Sequence, residues 1–233
     1  MRTLNVILAL SFVAVLGTAN SASAQRLSVG TRLGVAISDF GGDFGDLAET
    51  DSRTAFTMSG VFGWNFSRLF AFQPEIAYVL KGATDDIPND IADVTLDLRY
   101  LELQLPLVLT IPIAESGFRP RLYSGPAVAL ELSCEVEVDD GVFTVITDCD
   151  ERFDTEFGFQ VAFTETKALD IGWLFGGGFD LAAGPGALTG DLRYNVGLTD
   201  INDFPGDFGE EMSIKNRALQ LLLGYVLYFG GPR

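Results

Sequence analysis

Between Tyr100 and Thr110, leucine occupies positions 101, 103, 105, 107 and 109, with Glu102, Gln104 and Pro106 in between. A period of two puts the leucines on one face of a β-strand and the polar set on the other. The alternation recurs along the chain. Over 26–37, Leu27, Val29, Leu33, Val35 and Ile37 oppose Ser28, Gly30, Arg32, Gly34 and Ala36. Over 54–66, Phe56, Met58, Phe62, Trp64 and Phe66 oppose Ala55, Thr57, Ser59, Val61 and Gly63. Over 70–81, Phe70, Phe72, Ile76, Tyr78 and Leu80 oppose Ala71, Gln73, Glu75, Ala77 and Lys81. Further strands are predicted around 100–110, from 118 to about 132, over 170–181 and 188–198, and in a last stretch ending at Phe229.

These eight strands have connections that alternate in length. Residues 38–53, 82–93, 133–169 and 199–213 are long; 67–69, 111–117 and the turn around Gly184-Pro185-Gly186 are short. Short turns at one end and long loops at the other characterise membrane-crossing antiparallel barrels, and the strands meet the roughly 9–11 residues a tilted crossing needs. The fold class expected is therefore all-β, an eight-stranded antiparallel up-and-down transmembrane β-barrel. Volume fixes its polarity. About five bulky side chains per strand cannot fit inside eight strands, whose interior side chains only just fill, so the leucines and phenylalanines face lipid and the small and polar set faces the lumen. Trp64, Phe66, Phe70, Phe72, Phe118, Phe179 and Phe229 then fall near the short-turn ends, as an aromatic girdle at one interface.

Above Tyr100 the pattern changes. The odd phase would carry Arg99 and Asp97 on the leucine side, while Leu96 and Leu98 follow the opposite phase. Either the strand leaves the membrane near Tyr100 or a β-bulge switches its faces; the first reading is preferred, because charge is tolerated at the interface. Residues 157–163 also alternate, through Phe157, Phe159, Val161 and Phe163. A single extra crossing would break the strand parity, so they are expected to extend the sheet outside the membrane.

Residues 1–24 read as an export signal: Arg2, an apolar run from Leu4 to Leu16, and Ala22-Ser23-Ala24 as the cleavage site, leaving the barrel as 25–233. Removing Arg2 leaves 14 basic against 32 acidic residues, a net charge of −18. That excess argues against nucleic acid as a partner. Nor does any apolar run after residue 24 approach the ~18 of a transmembrane helix.

The lumen face carries Arg32, Glu75, Lys81, Glu102, Arg121, Glu131, Asp170, Asp180, Asp191 and Arg193. Charges in a narrow barrel must pair or be hydrated. They make either a salt-bridge plug, the preferred reading, or an ion pathway; Glu102 has Arg32, Arg121 and Arg193 as candidate partners. The chain has no histidine, which removes Ser-His and Asp-His catalysis and the commonest metal ligand. No catalytic residue and no cofactor is expected.

Cys134 and Cys149 bracket Asp139-Asp140-Gly141, and a hairpin turning at 141 and 142 would oppose them directly. In an exported chain they are expected to form a disulfide. Asp39-Phe40-Gly41-Gly42-Asp43-Phe44-Gly45 echoes Asp203-Phe204-Pro205-Gly206-Asp207-Phe208-Gly209 at six of seven positions. These loops are either two solvated acidic turns or, brought together by barrel closure, a shared Ca²⁺ site through Asp39, Asp43, Asp203 and Asp207.

Several runs also carry a family likeness: Phe72-Gln73-Pro74-Glu75-Ile76-Ala77-Tyr78 with Lys81-Gly82, Tyr100-Leu101-Glu102-Leu103 with Pro106-Leu107, and Gly125-Pro126. Asp170-Ile171-Gly172 with Gly176 and Gly178, and Asp191-Leu192-Arg193-Tyr194-Asn195 with Gly197-Leu198, complete it. Over nearly all of 25–233 the chain resembles the PorT-like outer-membrane β-barrel family. The resemblance implies an eight-stranded barrel in the outer membrane of a Gram-negative bacterium, surrounded by its lipid, with no catalytic residues. Gly224, Leu227 and Phe229 resemble the C-terminal signal read by the barrel-assembly machinery, with four residues following. The function expected is structural or interactive, a barrel displaying acidic extracellular loops to a partner the sequence does not name; a narrow pore and an extracellular ligand binder are the alternatives.

Overall fold

Strands with an apolar outer face satisfy their backbone amides in lipid only if the sheet closes on itself. The computed structural model describes residues 26–41, 51–86, 93–113, 117–139, 144–148, 153–154, 160–161, 167–201 and 213–230. Its strands are β1 (Arg26–Gly41), β2 (Asp51–Asn65), β3 (Phe70–Phe72), β4 (Glu75–Asp86), β5 (Asp93–Gln104), β6 (Leu107–Thr110) and β7 (Phe118–Asp139). They continue as β8 (Thr144–Asp148), β9 (Phe153–Asp154), β10 (Gln160–Val161), β11 (Leu169–Ala183), β12 (Gly186–Gly197) and β13 (Lys215–Phe229). β3 with β4, and β5 with β6, each make one crossing, so the ring has eight: β1, β2, β3/β4, β5/β6, β7, β11, β12 and β13. Antiparallel pairing of β13 with β1, from Leu27 opposite Phe229 to Gly41 opposite Lys215, closes it.

The two split crossings have a chemical cause. Proline has no N–H to give to a ladder, and Pro74 and Pro106 each interrupt one. Their carbonyls still accept, from Phe62 N–H at 2.9 Å and Gln73 N–H at 3.0 Å, and Pro126 accepts from Leu105 N–H at 3.0 Å. Side-chain phase survives both breaks: Ala71, Gln73 and Glu75 are buried inward, as are Gln104, Pro106 and Val108.

The faces separate by volume. Leu33, Phe56, Leu107, Leu122, Leu192, Leu221 and Leu223 stand exposed outside, Leu223 with 67% of its surface uncovered. Inside are small residues such as Ala36, Ala77, Ala127 and Ala187, together with the charged set. Where a large side chain leans across the lumen, the wall facing it is glycine: a Cβ at Gly176 would overlap the Tyr123 ring, and one at Gly178 would lie 2.6 Å from Asp191 Oδ1. At the short-turn end Trp64 lies edge-on to Phe66 at 6.3 Å, Phe66 stacks on Phe70 at 6.5 Å, and Phe118 meets Phe179 at 5.5 Å. Gly184, at φ 56°, makes the tight bend from β11 to β12.

β5 does not switch faces: Leu98, Tyr100, Glu102 and Gln104 are all buried inward, whereas Leu101 and Leu103 are exposed. The bulge sits in the neighbouring strand instead, because Arg99 faces Ser133 while Tyr100 faces Glu131, leaving Leu132 as the extra residue of β7. Above Leu101 the outer surface becomes charged. Arg99 forks onto Glu135 at 2.5 and 2.7 Å, and Arg53 reaches Asp97 across Gly82.

Beyond the bulge β7 continues into a hairpin with β8, from Glu135 opposite Asp148 to Asp139 opposite Thr144. Within the stretch read as a possible extra crossing, Gln160 and Val161 pair with Asp154 and Phe153 in a separate two-stranded sheet, outside the ring. The export signal, Asp43, Cys149, Asp203 and Asp207 lie outside the described residues.

Candidate functional site

Inward phase on six crossings sends charged side chains to the barrel axis, where no bulk water shields them and opposite charges must meet. They meet in an alternating ladder along the lumen. At the short-turn end Arg119 Nη2 lies 3.5 Å from Asp180 Oδ2, and Arg121 Nε lies 3.0 Å from Asp180 Oδ1. Arg121 Nη2 then donates to both oxygens of Asp191, at 2.9 and 3.1 Å. Arg32 joins the next two acids, with Nε 3.0 Å from Asp191 Oδ2 and Nη1 donating to Glu75 Oε2 at 2.5 Å. Arg193 forks onto the same Glu75 at 2.9 and 3.2 Å and donates to Gln104.

Gln104 Nε2 passes the chain on to Glu102 at 2.7 Å, and Glu102 also accepts from Asn195 at 2.5 Å. Lys81 Nζ lies 2.9 Å from Glu102 and 3.6 Å from Asp170. Asp170 is held in turn by Asn216 at 2.9 Å and Thr199 at 2.8 Å. Five cations (Arg32, Lys81, Arg119, Arg121, Arg193) thus alternate with five anions (Glu75, Glu102, Asp170, Asp180, Asp191), so the formal charge of the ladder is zero. Arg32 and Arg193 are only 1% and 2% exposed. Both terminal nitrogens of each guanidinium donate, Arg32 to Glu75 and Gln73 and Arg193 to Glu75 and Gln104, the forked geometry in which charge-assisted bonds are strongest.

Of the ten charges placed in the lumen from sequence, nine enter this ladder. Glu131 is half-buried above it, 3.5 Å from the Tyr100 hydroxyl. Glu102 takes Lys81 rather than an arginine: its cross-strand neighbour on β4 is Ala77, and the lysine stem four residues along reaches back over it. The ladder also uses residues not picked out beforehand. Arg119 sits two positions before Arg121, and Gln73, two before Glu75, accepts from Arg32 at 3.2 Å and Arg121 at 3.4 Å. Both share the inward phase of a charge already chosen, which was signal enough to find them.

Above Lys81 the lumen turns apolar. Leu98, Tyr100, Ala129 and Ile201 form a buried cluster, with Phe40, Leu96, Cys134 and Ile214 packed around it. Ile201 comes from the long connection between β12 and β13 and is pinned there: its N–H donates to Ile214 O at 2.9 Å, and its carbonyl accepts from Lys167 N–H at 3.0 Å. Lys81 stacks 5.0 Å below the Tyr100 ring, joining ladder to cap. A small space beside the upper ladder, lined by Lys81, Glu102, Asp170 and Asn195 among others, has about 10 Å³, room for about one water.

Of the four candidate Ca²⁺ ligands only Asp39 is described, opposite Arg217 on β13. Among the described residues no three His, Cys, Asp or Glu side chains gather as a metal site.

The sequence model of the outer membrane protein β-barrel domain family matches residues 18–203. Among solved structures, the outer membrane protein OprG from Pseudomonas aeruginosa is similar at 14% identity and a TM-score of 0.50, over 90% of this chain and 97% of that one. Neisserial surface protein A is similar at 15% identity and 0.49, over 87% and 97%, and the attachment invasion locus protein Ail of Yersinia pestis at 11% and 0.42, over 86% and 98%. These likenesses concern the fold. No curated protein matches the chain.

Proposed function

The chain belongs to the outer membrane protein β-barrel domain family, and from that premise we propose that it is a closed barrel with a structural or interaction role. It presents acidic loops outside and conducts nothing through its axis. The observation that carries this reading is the neutral ladder from Arg119 to Asp170, capped by Leu98, Tyr100 and Ile201. An ion moving along the axis would have to break several buried ion pairs in turn, each costing several kcal/mol to part.

On this reading residues 1–24 are cut off after Ala24, both ends of the barrel and the short turns lie in the periplasm, and the barrel-assembly machinery inserts the chain. The PorT-like branch is the finer assignment, resting on the Gln-Pro-Glu, Tyr-Leu-Glu and Asp-Leu-Arg-Tyr-Asn runs of the sequence. A Cys134–Cys149 disulfide ties the base of the β7–β8 hairpin. Supporting it, the register that sets Glu135 against Asp148 would, one step on, set 134 against 149, and no cysteine among the described residues is free.

Proteoliposome swelling tests the function. Vesicles carrying the folded barrel should swell in iso-osmotic arabinose no faster than empty ones. Swelling that grows with protein content and falls with solute size would overturn the closed reading.

A further inference from the structure

Below the ladder, the short-turn end opens into a mouth of about 420 Å³. Its charged and aromatic lining is Arg26, Arg119 and Tyr228; the rest is Gly117 and the small residues of the turn over 182–186. Both guanidiniums lie over the tyrosine ring, Arg26 Cζ at 5.2 Å from its centroid and Arg119 Cζ at 5.1 Å. The ring is itself fixed, since its hydroxyl donates to Asp180 Oδ2 at 2.9 Å and accepts from Arg119 Nη2 at 2.7 Å.

The charge balance of this mouth is unlike that of the chain. The sequence carries a net −17, yet among the described residues no carboxylate lines the mouth. Asp180, which Arg119 and Tyr228 both touch, is buried and already engaged by Arg121, Arg119 and Tyr228. Arg26 Nε is buried without a hydrogen-bond partner among the described residues. Two cations pre-oriented by one aromatic ring, with small walls around them, form a receptor for an anion larger than chloride. Guanidinium forks match the paired oxygens of phosphate.

We propose that this mouth binds a phosphate group, carried by a soluble phosphate ester or diphosphate or by a lipid headgroup. The ladder directly above makes it a blind site, so binding requires no transport. Arg26 brings a charge that no ladder anion balances, Arg119 adds a guanidinium beside it, and the small walls leave room for the group that bears the phosphate.

The test follows the arginine Nε–Hε resonances of the full barrel in zwitterionic detergent while sodium pyrophosphate is added at constant ionic strength, against sodium chloride. Arg26 and Arg119 should shift saturably, with half-saturation on the order of 1 mM or below. Arg26→Gln, which removes no ladder ion pair, should weaken the response about tenfold or more. Arg68→Gln, on the exposed turn at the same rim, should leave it unchanged, and an unaltered amide spectrum verifies that each variant is folded. Short-chain phosphatidylglycerol, titrated in parallel, separates the sources: saturation by it alone assigns a lipid headgroup, and saturation by pyrophosphate assigns a soluble ligand. Linear shifts that chloride reproduces, with neither phosphate compound saturating, overturn the proposal, as does an equal loss in Arg68→Gln.

Discussion

Arg193 holds Glu75 by two bonds and Gln104 by a third, and its guanidinium lies 5.5 Å over the Tyr123 ring. Arg193→Met keeps much of the stem but strands Glu75 with Arg32 alone. Truncating one partner of a buried pair costs about 3–5 kcal/mol, and urea unfolding in lipid vesicles should show a loss of that size. A loss below about 1 kcal/mol would mean that water reaches the ladder and screens it. The outer face gives the reciprocal case. Leu223→Arg puts a charge into lipid and is expected to cost about 2–4 kcal/mol if it lies near the midplane; in a soluble barrel the same change at so exposed a position would be nearly neutral. Within the crossings, away from Leu96 and Leu98, which face a residue takes was legible in the sequence, because period two is local and a strand keeps it even through Pro74 and Pro106. Partner choice was not: Glu102 meets Lys81 through the stagger of β4 against β5, and no spacing along a single strand encodes that offset.

Among the elements, β11 shows how glycine spacing shapes a wall. Gly176 faces the Tyr123 ring, whereas a Cβ at Gly177 would meet Leu122 Cδ2 at 3.4 Å and Arg121 O at 3.7 Å, ordinary contacts. Gly176→Val should therefore cost about 1–3 kcal/mol by overpacking, and Gly177→Ala should stay within about 0.5 kcal/mol, both read from the same unfolding curves. Equal effects would contradict the assignment of faces in this strand. The β7–β8 hairpin carries the prediction for the cysteines. Unreduced intact mass should fall two protons short of the sequence mass, and reduction should raise hydrogen exchange in 133–148 while leaving β11 and β12 protected; free thiols would remove the disulfide. Strand count and the alternation of short and long connections could be read from sequence because each crossing needs a similar length. The bulge at Leu132 could not, since it shows only in how β7 pairs with β5. Leu96 and Leu98 signalled it from the wrong strand: they looked out of phase with the lipid-facing leucines because they belong to the cap.

For the whole molecule, an acidic exterior and a neutral axis divide the work. The long loops carry much of the chain's acidic excess, while the ladder sums to zero and the cap covers it on the long-loop side. That seal was the part of the site hidden from sequence reading, because Ile201, Tyr100 and Ala129 lie far apart along the chain and meet only once the barrel closes. Closure of the axis is the central claim, and single-channel recording in planar bilayers tests it most directly. The purified barrel, inserted and shown to be folded, should give no steady openings across a range of voltages. A stable conductance step whose size depends on the ion, and which Arg193→Met or Glu75→Gln alters, would show that the ladder is a pathway and contradict the account.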